Sequence, residues 1–151
     1  MLLLFKIIGL ICIFSSCSAL GFLKSTLLKK RKEKLSSISR SVSRLAEYIR
    51  GNGGEINLLA GRCFSPKDIT VKNGVLILDE SFLEKEDISL IKEFLSDFGL
   101  KDSEGEYQRT KLYAELIESQ RKISAEKFAR LSRLYNTVGV LFGMVVCIFF
   151  I

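Results

Sequence analysis

Four cysteines, no histidine and two clusters of charge are the features of this sequence that could carry chemistry. Cys12, Cys17 and Cys147 fall in apolar stretches, which leaves Cys63 alone in the charged middle. One thiol there forms no internal disulfide, as suits a reducing compartment. Without histidine there is no Ser-His-Asp or Cys-His nucleophile and none of the usual His-containing zinc sites. Adjacent acids such as Glu86 and Asp87 could do acid–base work only if they converged, and neighbouring residues of a helix point apart. Gly51-Asn52-Gly53-Gly54 precedes no Gly-Lys-Ser/Thr and follows no strand, so it reads as a helix stop rather than a phosphate loop. The expectation is a non-enzyme with no cofactor and no bound metal.

The charges themselves are segregated. Lys24–Arg50 carries nine basic and two acidic residues, whereas Asp79–Glu106 carries ten acidic and three basic ones. A basic flank at a membrane is expected, because each Lys or Arg near an anionic leaflet is worth about 1 kcal/mol. The acidic segment reads either as a solvated face or as a docking face for a basic partner, through Glu84, Glu86, Asp87, Asp97 and Asp102. Lys29-Lys30-Arg31-Lys32 lacks interleaved aromatics and lies just after an apolar run, so membrane phosphate is its expected partner and nucleic acid is not.

Elements that could position these charges follow from the apolar pattern. Only Lys6 among the 40 charged residues lies outside Lys24–Arg133. Ile7 to Leu23 is uncharged and would reach about 26 Å as a helix, the lower end for a bilayer span. A second uncharged run covers Thr137 to Ile151. The expected organisation is a transmembrane segment over 1–23, a helical domain over 24–134 and a second transmembrane segment over 135–151. Lys29, Lys30, Arg31 and Lys32 flank the first span, and Arg130 and Arg133 the second, so the positive-inside bias puts the domain in the cytoplasm. Gly139 and Gly143 form a small-xxx-small pair that permits a homo-oligomer in the membrane. A rival reading takes Phe14-Ser15-Ser16-Cys17 as a lipoprotein signal lipidated at Cys17, which would export the domain against that charge bias.

The expected fold is all-α: an antiparallel helical bundle with a small β-hairpin near residues 69–78. Leu35, Ile38, Val42, Leu45 and Ile49 form a narrow helical stripe. A short helix follows from Glu55 to Ala60. Two β-branched runs then flank Asn73-Gly74, a strong hairpin signal. Ser81–Glu84 predicts a capping box for a helix carrying Phe82, Ile88, Ile91, Phe94, Leu95 and Phe98 inward. Ser103–Glu106 predicts another, for a last helix packing through Leu112, Leu116, Ile123, Phe128, Leu131 and Leu134.

Together, several stretches resemble the stage III sporulation protein AB family. They are Lys6-Ile7-Ile8-Gly9 leading to Gly21-Phe22, Glu84-Lys85-Glu86-Asp87-Ile88 followed by Ile91, Phe94 and Phe98-Gly99, then Gly99-Leu100-Lys101-Asp102, and Tyr135-Asn136-Thr137-Val138-Gly139 with Gly143. The likeness covers roughly 1–60 and 80–151 and departs in the middle, where the family usually continues as helix. Asn52-Gly53-Gly54 also replaces a Thr-Pro-Leu turn, and Glu106 stands where the family carries Gln. The resemblance implies a helical domain similar to the cytoplasmic domain of the type II secretion platform protein. It further implies a place in the channel between mother cell and forespore, on the mother-cell side in the outer forespore membrane, with a cytoplasmic ATPase as partner.

Overall fold

The computed structural model describes residues 2–51, 56–72, 75–99 and 102–150. In chain order the elements are α1 (Leu2–Gly51), α2 (Ile56–Cys63), β1 (Ile69–Lys72), β2 (Val75–Leu78), α3 (Lys85–Ser96) and α4 (Ser103–Phe150). They form two compact units, a central one of Arg31–Ser124 and a terminal one of Met1–Lys30 with Ala125–Ile151. The protein is thus mostly helical with one two-stranded sheet, as the apolar pattern predicts.

In the central unit the α1 stripe is the core. Leu35, Ile38, Val42, Leu45 and Ile49 are all at most 3% exposed. Ala60 of α2, Phe64, Ile69 and Leu78 of the hairpin, Ile91 and Phe94 of α3 and Ile117 of α4 join the same cluster. The Phe94 ring lies 5.6 Å from that of Phe98, edge-on, and 5.4 Å from that of Tyr113. The hairpin is antiparallel with Ile69 opposite Leu78 and Lys72 opposite Val75. Its turn, Asn73-Gly74, lies outside the described residues, as do Asn52–Glu55. Leu78 is buried while Val75 and Ile77 are exposed, the period-two alternation of a strand with one covered face. Two strands are marginal alone, and burial of Ile69 and Leu78 against the helices supplies what the ladder lacks.

Three sequence expectations are corrected. The capping box of α3 is not Ser81–Glu84 but the next one along: Glu84 is the N-cap and Asp87 its N3 partner. Ser81 is already engaged by Asp79, which accepts from its backbone N–H at 3.1 Å and its hydroxyl at 2.7 Å. Phe82 then takes φ 66°, a left-handed turn incompatible with a helix start, and its side chain is 46% exposed rather than inward. Helix α4 begins at Ser103 itself, with the Asp102 carbonyl accepting the Glu106 N–H at 2.8 Å.

The third correction concerns the face of α4. Leu112, Leu116, Ile123 and Leu134 are 41–55% exposed. The buried face is Glu106, Thr110, Ile117 and Ser124, each at most 2% exposed, spaced at multiples of roughly half a heptad. Apolar periodicity misses this face because only Ile117 on it is a large hydrocarbon. Polar partners such as Ser39, whose hydroxyl donates to Glu118 at 2.8 Å, fill the rest of the α1–α4 contact.

The terminal unit is built on the opposite rule. A Cβ on Gly21 would lie 2.5 Å from the Tyr135 carbonyl oxygen, and 3.5 Å from the Cα of Gly139. The Ser25 hydroxyl donates to that of Ser132 at 3.0 Å, and Gly143 is buried. The large side chains face out: Ile11, Leu20, Phe22, Leu141, Phe142 and Ile148 are 54–72% exposed. Among the described residues no helix is long and apolar enough to cross a membrane.

The observed and the predicted faces differ in what mutation should do. Phe94→Ala, at a fully buried position, should cost about 3–5 kcal/mol, while Leu112→Ala should stay within about 0.5 kcal/mol. Denaturant unfolding of the purified chain in detergent compares the two.

Candidate functional site

The opposed charges of α1 and of residues 79–106 meet inside the central unit. Arg31 is 3% exposed and forms a two-pronged contact with Asp87: Nε donates to Oδ2 at 2.8 Å and Nη2 to Oδ1 at 3.0 Å. Its Nη1 donates to Glu84. Asp87 is fully buried, and its Oδ2 also accepts the Glu84 backbone N–H at 3.1 Å, closing the capping box. One turn along α1, Lys34 Nζ donates to Asp79 Oδ2 at 2.6 Å. That ammonium, followed by the Ser81 hydroxyl and N–H, draws the Asp79 carboxyl down to about 2. Much of the charge segregation is therefore an internal lock, in which the basic helix receives the acidic segment.

The other end of α3 is held by α4. Arg109 is 8% exposed and donates through Nη2 to the Phe94 carbonyl at 2.8 Å and the Glu93 carbonyl at 3.1 Å, satisfying the end of the helix. Its guanidinium lies 5.7 Å from the Phe94 ring centre and 5.3 Å from that of Tyr113. Its Nη1 donates to buried Glu106 at 3.4 Å. Burial, then the neighbouring Glu93, pushes the Tyr113 phenol up. Further along α4, Arg121 and then Ser39 pull the Glu118 carboxyl down to about 2 against its desolvation.

These contacts sort the acidic residues expected to face a partner. Glu86, Asp97 and Asp102 are exposed. Glu84 is 44% exposed at its side chain but bound to Arg31. Asp87 has no surface at all, so a partner-facing role for it is corrected: burial commits it to the fold. Arg31 is corrected likewise, being drawn inward from the basic run, while Lys29, Lys30, Arg130 and Arg133 are exposed and Lys32 is half-buried. The sequence reading missed Arg109 and Glu106. The signal for Arg31–Asp87 was present in the opposite net charges and in Glu84-x-x-Asp87; Arg109 gave none, as an arginine three residues after a glutamate reads as a surface pair.

Burial raises the Cys63 thiol, the reverse of an activated nucleophile. Among the described residues no group of three acids or cysteines is placed to hold a metal. Gly139 lies in the close helix contact with Gly21 within the chain itself, and Gly143 is buried. What the geometry offers outward is a surface: exposed acids on the central unit and exposed hydrocarbon on the terminal one.

A family model, that of stage III sporulation protein AB, matches residues 65–151, more than half of the sequence, and the chain belongs to that family. No curated protein and no solved structure matches it. The match includes the hairpin, where the sequence departs from the family's usual helix, and begins at residue 65 rather than covering residues 1–60.

Breaking the lock from one side should be worse than removing it. Arg31→Met leaves Asp87 buried without a counter-charge and should cost about 3–5 kcal/mol, whereas Arg31→Met with Asp87→Leu should cost markedly less. A double-mutant cycle in denaturant reads the difference. Acid should weaken the fold as well. Asp79 and Glu118 both have depressed carboxyls, so their contribution is complete above the unfolded value near pH 4 and fades as pH falls toward about 2. Both are largely solvated, so the melting temperature should fall modestly between pH 5 and pH 2, and Lys34→Met should flatten that fall.

Proposed function

We propose that this stage III sporulation protein is a non-enzymatic membrane component of the channel apparatus between mother cell and forespore. Its central unit would lie in the cytoplasm and dock a secretion-type ATPase. The observation that carries the anchoring is the terminal unit, where small residues make the helix contact and large apolar ones turn outward. In water such a surface forfeits about 25 cal/mol for every Å² of hydrocarbon left uncovered. In a bilayer it is the expected arrangement, since helices there associate through close backbone approach rather than hydrophobic burial. Ser16 and Thr26 fit the same setting, their hydroxyls donating to carbonyls four residues back at 2.8 and 2.9 Å. The uncharged runs of the sequence set the anchor, and Lys29, Lys30, Arg130 and Arg133 would meet the cytoplasmic leaflet.

Docking rests on Glu86, Asp97 and Asp102, the exposed remainder of the acidic segment, and on the family's resemblance to a secretion platform. A nucleic-acid partner is disfavoured, because Arg31 is taken from the only dense cationic run. A basic ATPase surface would be attracted at a rate and strength that salt reduces.

Two experiments test the reading. A single-cysteine variant at exposed Ser119 should resist an impermeant thiol reagent on intact sporulating cells and react once the membrane is opened; labelling from outside overturns the topology. The half-buried Cys63 is a poorer reporter. For docking, Glu86→Gln, Asp97→Asn and Asp102→Asn together should leave the melting curve in place. They should weaken ATPase pull-down by about tenfold, the sum of three exposed pairs of roughly 0.5 kcal/mol each. Binding indifferent to both salt and the triple variant removes the acidic face from the proposal.

A further inference from the structure

On the central unit, α1 and α4 run antiparallel with an open groove between them of about 390 Å³. Two contacts fix their register: Ser39 bonds Glu118 at 2.8 Å, and the Arg50 guanidinium lies 6.0 Å from the Tyr107 ring centre. In both pairs the residue numbers rise on one helix as they fall on the other by the same amount. Between them, Ser43 therefore stands level with Ala114, and Glu47 lies within one residue of Lys111.

The groove has two properties of a helix-packing surface. Ser43, Ala46 and Ala114 line it with side chains small enough for another backbone to come close. Exposed charges of opposite sign, Glu47 and Lys111, stand across it from each other. Among the described residues these two make no ion pair. The mixed signs matter. A strongly basic or acidic partner would meet as much repulsion as attraction here, unlike at the face of Glu86, Asp97 and Asp102. The lining also holds Arg50 beside Glu47 on α1 and Glu115 and Glu118 beside Lys111 on α4, so each bank carries both signs; Arg50 lies over Tyr107, and Glu118 is bonded to Ser39 and Arg121. The near-level pair of Glu47 and Lys111, on opposite banks, is complementary to itself under a two-fold axis along the groove. That operation places Glu47 of one copy against Lys111 of the second, and Lys111 of the first against Glu47 of the second.

We propose that this groove is the centre of a two-fold interface between two copies of the chain, held by two reciprocal Glu47–Lys111 pairs over a floor of small residues. It is separate from the acidic face and from the glycine contact of the terminal unit, so both remain available in the dimer. The charges set register and partner choice, as those flanking the seam of a coiled coil do, and the small residues allow the close approach.

The test uses the full-length protein in detergent and in nanodiscs, with mass measured by light scattering and sedimentation. Wild type should be dimeric. Glu47→Lys should place like charges opposite each other and weaken the dimer by tenfold or more. Lys111→Glu should do the same, and the exchange of both, Glu47→Lys with Lys111→Glu, should restore it. Ser43→Arg, at an exposed position of the lining, fills the groove and should give a monomer with an unchanged melting curve. A monomeric wild type overturns the proposal. So does a dimer that survives Ser43→Arg and both single charge reversals, which would place the contact elsewhere. Neither result bears on the ATPase pull-down, which reads a different face.

Discussion

Asp87 is a carboxylate without access to water, and the placement of α3 depends on how that is tolerated. An isolated charge in such a place costs several kilocalories per mole, and the cost is met only when the geometry is good and every lone pair is used. Here Arg31 supplies two hydrogen bonds and the Glu84 N–H a third. The third matters as much as the first two, because it makes the same carboxylate the start of a helix. Wherever Arg31 stands on α1, the first turn of α3 must stand opposite it. Arg109 then fixes the other end, from α4, by taking the last carbonyls of α3. A twelve-residue helix too short to persist in water is thereby held at each terminus by a buried cation, one from each long helix. Ile91 and Phe94 enter the core between those two clamps.

Such a lock reinterprets the uneven distribution of charge. Opposite charges concentrated in separate stretches of chain invite a search for external partners of each sign. Here the stretches answer one another first: Arg31 with Asp87 and Glu84, Lys34 with Asp79. Glu86, Asp97 and Asp102 keep an exposed face, and Asp97 itself lies 3.9 Å from the Arg109 guanidinium. Buried ion pairs add little net stability over hydrocarbon of the same shape, but they penalise every alternative arrangement that leaves one partner alone. In a small domain whose α4 face is largely polar, that penalty selects one packing.

Legibility followed chemistry rather than length. The α1 stripe and the hairpin were readable because their inward residues are hydrocarbons at periods of 3.5 and 2, with Asn-Gly between the strands. The face of α4 was not, because Thr110, Ser124 and Glu106 point inward while Leu112, Leu116 and Ile123 point out, which inverts the rule the reading relies on. The start of α3 was misplaced by one turn because Ser81-x-x-Glu84 and Glu84-x-x-Asp87 both have capping form. The choice between them lies in tertiary contacts, Asp79 on Ser81 and Arg31 on Asp87, which no local window contains. The same holds for the acids expected to face a partner: sequence gave their number and sign, and only the packing of α1 against α3 separates Asp87 from Asp97.

The two units also show one helix obeying two rules. Along α1, residues seven apart include Gly21, Leu35, Val42 and Ile49, all buried against neighbours in their own unit. In the central unit the buried position takes large hydrocarbons, because removing them from water is what drives the contact. In the terminal unit it takes glycine against a carbonyl oxygen, with a serine pair nearby, while the large hydrocarbons turn outward. The contact in the terminal unit therefore rests on close backbone approach and a serine hydrogen bond rather than on buried hydrocarbon. From Gly21 to Leu35, about four turns of one helix, the seam residue changes from glycine to leucine.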